Sequence, residues 1–457
     1  MKTGTDPAAV ATAVVGMTAA GRYAEVEALF APRLRAAASA ETLRVGWETE
    51  IAKIGAVRAV GAPVSEPAKA GLVRVRVPVT GAHGGLTVVM SVDDAGLLHG
   101  LRLAPPSGTT WEPPAYAEPD RFTEHEVTVG TGPLAVPGTI TRPRGRGPWP
   151  GLVLLTSGPA DRDLTTGPNK PFKDLAWGLA SRGVAVARFD KVTHVHPEAG
   201  SAAGFTMVEE YVPHAVAAVR LLQRRRKVDP ARVFVLGLSG GGKAAPRVAA
   251  AEPSVAGVVS LAGDTLPLSR AAVRVARYLA ELNPGPATTA AVEAVARQAA
   301  LVEDPGLSPA APAADLLFGW PASYWLDLRG YDPVATAAGL AKPILVLQGG
   351  RDYQVTVTGD LARWQEGLAH RPDVTIRVHD ADDHLFFRGE GPSTPAAYET
   401  PQHVDPAVVA DIADWVRRTE RAPHPGNDRR DAALLNVFTN RATVLLEHVQ
   451  NEEEPWT

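Results

Sequence analysis

The chain contains no cysteine among its 457 residues, which excludes disulfides, thiolate nucleophiles and Cys-ligated metal sites. Any nucleophile is therefore an oxygen or a nitrogen. Long apolar stretches are also missing: no run of about 18 apolar residues occurs, and no membrane-spanning helix is expected. A strong charge of one sign is absent as well. Its 46 basic and 50 acidic residues leave a formal net charge of -4, which gives no basic field for nucleic acid or anionic lipid. The opening MKTGTDPAAVATAVVGMTAAGRY has Asp6 and Pro7 early and no sustained apolar core, so no signal peptide is read there and a cytoplasmic location is expected. A small neutral substrate is the partner that fits this composition.

Hydrophobic residues make up 45% of the chain and charged residues 21%, enough for a sizeable core, and the length favours two domains. Val14, Met17, Tyr23, Val26, Phe30 and Leu34 recur at helical spacing, followed by Leu43, Trp47, Ile51 and Ile54. The period then changes to strands in LVRVRVPV (72–79), LTVVMSV (86–92) and LLHGLRL (97–103), with Gly84-Gly85 and Asp94-Ala95-Gly96 as turns. This predicts a small α+β domain over 1–103. The proline-rich APPSGTTWEPPAYAEPD (104–120) reads as a linker. From 121 to 420 a hairpin precedes the apolar runs GLVLLTS (151–157), VAVARFD (184–190), RVFVLGLS (232–239), VAGVVSL (255–261) and ILVLQG (344–349). Such runs, separated by helical stretches, predict an α/β domain whose mostly parallel sheet is covered by helices on both faces. About 80 residues separate Asp264 from the run at 344, too many for one crossover, so a helical cap is expected over about 265–340. Residues 421–457 read as a linker and a final helix carrying Leu434, Phe438, Leu445 and Val449 on one face, which makes a homodimer one way to bury that stripe.

Active sites of parallel sheets lie at the C-terminal ends of the strands. There RVFVLGLSGGGKAAPRVAAA sets Gly237, Ser239 and Gly241 in a G-x-S-x-G turn between a strand and an alanine-rich helix. The turn holds a serine in a strained conformation at a helix N-terminus, which demands small neighbours. With 43 glycines in the chain the pattern alone is weak, and the strand-turn-helix context gives it force. A serine hydroxyl needs a base, and the base needs a carboxylate to fix its tautomer. Asp352 follows the strand ILVLQG and His384 the next one, in the order serine, acid, histidine. Asp264 is the rival acid, and Asp380, Asp382 and Asp383 are near His384 in sequence. His379 is the rival base. An oxyanion hole needs two backbone donors, each worth about 3 kcal/mol. The amides of Gly240 and Ser157 are the candidates, since Pro159 has no N–H.

Several strings then resemble a known group, bacterial α/β-hydrolase esterases with a small N-terminal half-cone domain joined by a linker. They are SGPADRD (157–163), GPNKPFKDLAWGLASRGVAVARFDK (167–191), GLSGGG (237–242), YWLDLRGYDP (324–333), LQGGRDYQVT (347–356), DHLFFRGEGPSTPAAY (383–398) and HVDPAVVADIADW (403–415). The resemblance spans most of 20–418. It implies an α/β-hydrolase fold, carboxylesterase activity on ester or thioester substrates without a cofactor, and Ser239, Asp352 and His384 in the triad positions. Two departures stand out: Leu155-Thr156 where relatives commonly have His-Gly, and Leu238 where they have His or a similar residue.

For the substrate pocket, Leu238, Trp320, Tyr324, Trp325 and His194 are the candidates, with plain cap core as the other reading of the aromatics. His194 and His196 stand two apart, but no further ligands accompany them and no metal site is expected. The same acyl-enzyme chemistry serves an acyltransferase, a cyclising thioesterase or a tailoring enzyme of secondary metabolism. A non-catalytic binding protein on this scaffold is the alternative from another class, against which all three triad groups speak.

Overall fold

In the computed structural model, residues 5–68, 71–104 and 111–419 are described; the stripe of Leu434, Phe438, Leu445 and Val449 lies outside them. The chain forms two compact units, one within Met1–Trp111 joined by Tyr398–Pro401, the other within Glu112–Ala397 and from Gln402 onward.

The first unit begins with helices Pro7–Ala19, Tyr23–Ala28, Pro32–Ala37 and Ala40–Ile54. Asp6 caps the first helix by accepting the Ala8 N–H, and Pro7 takes the first helical position, where no N–H is needed. Five antiparallel strands follow: β1 (Val57–Val60), β2 (Val64–Pro67), β3 (Val73–Gly81), β4 (Gly85–Val92) and β5 (Leu98–Ala104), ordered β1-β3-β4-β5 with β2 also on β3. The alternation of LVRVRVPV works as the two-residue period requires. Val75, Val77 and Val79 pack with Val14, Val15 and Trp47, while Arg74 and Arg76 pair with Glu66. β1 and β2 were not expected, because four residues are too few to display alternation.

The second unit carries an eight-stranded sheet made of β6 (Phe122–Val129), β7 (Val136–Pro143), β8 (Trp149–Leu155), β9 (Ala185–Phe189), β10 (Val228–Leu238), β11 (Val258–Leu261), β12 (Ile344–Gly349) and β13 (Val374–His379). Its order is β13-β12-β11-β10-β8-β9-β7-β6. All pairs are parallel except those made by β7. Alternate residues of each strand serve opposite layers. In β10, Val233 and Val235 join the core formed with helices Met207–Gln223 and Gly240–Ala251, whereas Phe234 packs edge-on against Trp415 of helix Pro406–Arg418. This is the α/β-hydrolase fold that the sequence leads one to expect.

Two boundaries differ from that reading. Residues 112–118, placed in the linker, belong to the second unit. The Glu118 N–H donates to Ser181 Oγ (2.8 Å) and the Tyr116 ring closes on Gly178; proline content hid this packing. The cap holds helices Leu268–Leu282 and Pro286–Glu303 with its own core of Ala299, Val302, Leu316, Leu317 and Trp325. It ends earlier than 340, because Val334, Ala337 and Leu340 pack into the main core. Among the described residues no helix is long and apolar enough to cross a membrane.

Candidate active site

The parallel register brings Leu155, Leu238, Leu261 and Gly349, the last residues of β8, β10, β11 and β12, to one edge of the sheet. Ser239 follows β10 at φ 55°, ψ -122°, a conformation that a non-glycine residue adopts at a cost of order 1–3 kcal/mol. Its surroundings enforce it. A Cβ on Gly237 would lie 2.0 Å from the Gly241 carbonyl oxygen, and one on Gly241 would lie 2.1 Å from that of Leu155. Only glycine lets the helix Gly240–Ala251 start this close to β8 and β10. The Ser239 N–H donates to the Leu261 carbonyl (2.9 Å) and the Ser239 carbonyl accepts from Lys243 N–H (2.9 Å), so the turn is tied on both sides.

Asp352 sits in the loop after β12, buried. Its Oδ1 accepts the N–H groups of Gln354 (2.7 Å) and Val355 (2.9 Å), and its Oδ2 accepts Gln348 Nε2 (3.2 Å). The same Oδ2 is 2.7 Å from His384 Nδ1. His384 is buried on the loop after β13. Burial disfavours its imidazolium, but the charge and hydrogen bond of Asp352 outweigh burial and the net shift is upward. With Nδ1 engaged by the carboxylate, Nε2 is the nitrogen free to exchange a proton. The Ser239 hydroxyl makes no hydrogen bond to His384 in this structure; such bonds commonly close only with substrate present.

The rival acids are engaged elsewhere. Asp264 Oδ2 lies 2.7 Å from Lys243 Nζ, both buried, and contributes to His384 only through its charge. Asp383 Oδ1 accepts the amides of Leu385 (2.9 Å) and Phe387 (3.1 Å) and so shapes the loop that carries His384. Asp382 is fully buried. Asp380 is exposed.

Gly240 opens the helix and Ser157 follows β8. Among the described residues neither N–H has a backbone acceptor, and the Ser157 hydroxyl would be 3.0 Å from a Cβ on Gly240. The Ser157 side chain thus borders the space at the helix N-terminus, where a negative oxygen is favoured.

Behind this space lies a buried polar network that sequence reading missed. The Tyr211 hydroxyl stands beside Ser157, the two oxygens lying 3.2 and 3.0 Å from where a Cβ on Gly240 would be. Lys191 Nζ rests 3.6 Å from the centre of the Tyr211 ring, 3.1 Å from Glu210 Oε1 and 3.3 Å from the Thr156 carbonyl. The Tyr324 hydroxyl donates to Glu210 Oε2. Burial and then the Glu210 charge push the Tyr211 phenol well above its ordinary range, so it stays protonated. Tyr211→Phe is expected to loosen the Ser157 loop and lower kcat about tenfold, near 1.4 kcal/mol, with KM little changed; steady-state kinetics on a short acyl ester would check this.

The pocket candidates separate. Leu238 is buried at the end of β10, and Tyr324 is buried beside Phe205 and Glu210. Trp320 is half-buried over Tyr324. Trp325 is 2% exposed and packs in the cap's own core, which agrees with the cap-core reading of the aromatics. His194 is exposed, with Nδ1 3.3 Å from the Pro159 carbonyl, whereas His196 Nε2 reaches Ala135 (3.3 Å), so the two rings serve different loops. The charged residues of GPADRD also prove structural, since Arg162 pairs with Asp190 and Asp163 with Arg188. A cavity of about 610 Å³ between the cap helices is lined by Arg270, Arg274, Arg277 and Tyr278. No triad residue lines it, so it is not the reacting pocket.

Comparisons place the chain among known proteins. No family model matches it. It is 38% identical to esterase EstD of Thermotoga maritima over 339 residues, 73% of this chain and 77% of that one. Among solved structures, an esterase of Pyrococcus furiosus overlaps 68% of this chain and 99% of its own at 15% identity and TM-score 0.41. An acylaminoacyl peptidase of Pyrococcus horikoshii overlaps 83% of this chain and 58% of its own at 13% identity and TM-score 0.44.

Proposed function

The chain belongs to the esterase EstD family of α/β-hydrolases, and on that premise we propose that it cleaves carboxylic esters through an acyl-enzyme formed on Ser239. The observation that carries the reading is the strained Ser239 turn at the sheet edge to which the Asp352–His384 pair also belongs. Ser239 Oγ attacks the ester carbonyl carbon while His384 Nε2 takes the hydroxyl proton. The carbonyl oxygen, now negative, accepts the N–H groups of Gly240 and Ser157. As the tetrahedral intermediate collapses, the carbon–alkoxy bond breaks and the imidazolium gives its proton to the departing alcohol. Water repeats the sequence on the acyl group and restores the serine. Asp352 keeps its charge throughout; it holds the ring and stabilises the imidazolium.

Intact-mass analysis after treatment with a fluorophosphonate tests the assignment. One adduct per chain is expected, mapping to Ser239 and missing from Ser239→Ala. An adduct that persists in the variant, or a native chain that turns over esters yet never labels, overturns it.

A further inference from the structure

Asp382 has no part in that mechanism, yet it is placed in a way that demands an explanation. It is 0% exposed, and among the described residues neither carboxyl oxygen has a hydrogen-bond donor. Buried carboxylates are ordinarily paired or hydrogen-bonded. The groups around it are ligands rather than counter-charges. One donor atom from each of His379, Asp382 and Asp405 lies within 4.8 Å of the other two. His379 Nε2 is buried and stands 3.3 Å from Asp411 Oδ2 without the alignment of a hydrogen bond. Asp405 accepts the Ala407 N–H (2.7 Å) as the cap of helix Pro406–Arg418, and its other oxygen is 3.6 Å from the exposed Arg388. Three carboxylates and an imidazole thus meet, with Arg388 beside Asp405 and Arg377 paired to Asp411 as the cations on the rim.

We propose that His379, Asp382 and Asp405 form a binding site for a divalent transition metal, Zn2+ or Mn2+, with water completing its shell. The donor set decides the class. One imidazole and two carboxylates suit a borderline ion, whereas Ca2+ takes six to eight oxygens. Donors at about 2.1 Å around a tetrahedral ion are roughly 3.4 Å apart, so the pair of donors standing farthest apart, 4.8 Å at most, has to close on binding. The site is structural: its ligands come from the end of β13, the turn two residues before His384, and the start of the last helix. The backbone of the turn is already tied, with Asp382 N–H donating to the His379 carbonyl (3.0 Å) and Arg351 N–H to that of Asp382 (2.8 Å). The ion fixes the remaining freedom of the loop that holds the base. The three donors sit on separate elements with no motif spacing, so the sequence does not reveal them as a set.

A proton shared between Asp382 and Asp405 is the competing way to satisfy the pair, since burial and then the Asp405 charge push the Asp382 carboxyl up to about 8. The native chain, stripped with a chelator, is melted near neutral pH alone and with Zn2+, Mn2+ or Ca2+ in excess, and its metal content is measured after gel filtration. Zn2+ or Mn2+ is expected to raise Tm by about 5 °C and to be retained at about one equivalent, Ca2+ to do less. Both effects should vanish in Asp382→Asn and in Asp405→Asn, which keeps the helix cap. Should either fail to fold, His379→Gln, a change at the sheet's edge strand, carries the test. Absence of retained metal and of any shift in the native chain overturns the proposal, as does a shift of equal size in the variants. An Asp382→Asn chain that melts above the stripped native protein, with neither responding to metal, assigns the pair to the shared proton and overturns it too.

Discussion

Ser239→Ala is expected to lower kcat for a short acyl ester by on the order of 10⁵- to 10⁶-fold while leaving Tm within a few degrees of native. The size follows from the loss of the covalent route: without Oγ, the base and the two oxyanion amides can act only on water. Residual turnover some 10³-fold above the uncatalysed rate should remain, because those amides are backbone groups that alanine keeps. The small effect on folding follows from the site. Residue 239 is half-buried and its side chain makes no hydrogen bond among the described residues, while its backbone is held by Leu261 and Lys243. Alanine at φ 55° bears much the same strain as serine. Progress curves at high enzyme concentration, read beside a thermal melt, check both parts. A variant with a tenth or more of native activity would remove Ser239 from the chemistry.

Asp352→Asn is expected to reduce kcat by about 10⁴-fold through a tautomer rather than through lost charge alone. Oδ1 accepts two backbone N–H groups, from Gln354 and Val355, so an asparagine would keep its oxygen there. Its NH2 then occupies the place of Oδ2, facing Gln348 Nε2 and His384 Nδ1. Two donors now meet the amide, and the imidazole can accept only by moving its proton to Nε2, which leaves no base toward Ser239. The neutral ring also loses the partner that raised its proton affinity. Asp352→Ala should be no worse in rate, and less stable, because two backbone N–H groups lose their acceptor and the buried Gln348 amide loses one of its acceptors. Pre-steady-state acylation with a chromogenic ester separates the effect on acylation from any effect on release.

The sequence makes the strand framework legible because a buried parallel strand shows as an unbroken apolar run. The residues following such runs are where Ser239 and Asp352 are found, while His384 follows the half-exposed edge strand β13, whose polar residues interrupt the run; the positions of Gly237 and Gly241 are explained by contacts of 2.0 and 2.1 Å that no other residue permits. Other features leave no one-dimensional trace. Tyr211 and Glu210 lie in an ordinary amphipathic helix, Met207–Gln223, and only folding shows that they meet Lys191 and Ser157. Asp382 and Asp405 are 23 positions apart, and their approach depends on where the last helix begins. Trp325 shows a different ambiguity: aromatic content near a cap reads equally as pocket or as core, and only the fold shows it packed among Leu316 and Leu317. Pro-rich composition likewise masked residues 112–118, whose Tyr116 and Glu118 are packed and bonded.

The surroundings of Asp352 have a further consequence. Its three donors other than His384, the side chain of Gln348 and the amides of Gln354 and Val355, all come from one stretch of eight residues. The carboxylate is thereby aimed by its own short segment. The cap reaches that segment at two points, Arg274 donating to the Gln354 carbonyl (2.6 Å) and Tyr278 stacking on Tyr353; changes there should couple to Asp352, whereas cap changes away from them should add within about 0.5 kcal/mol and leave the acid in tune.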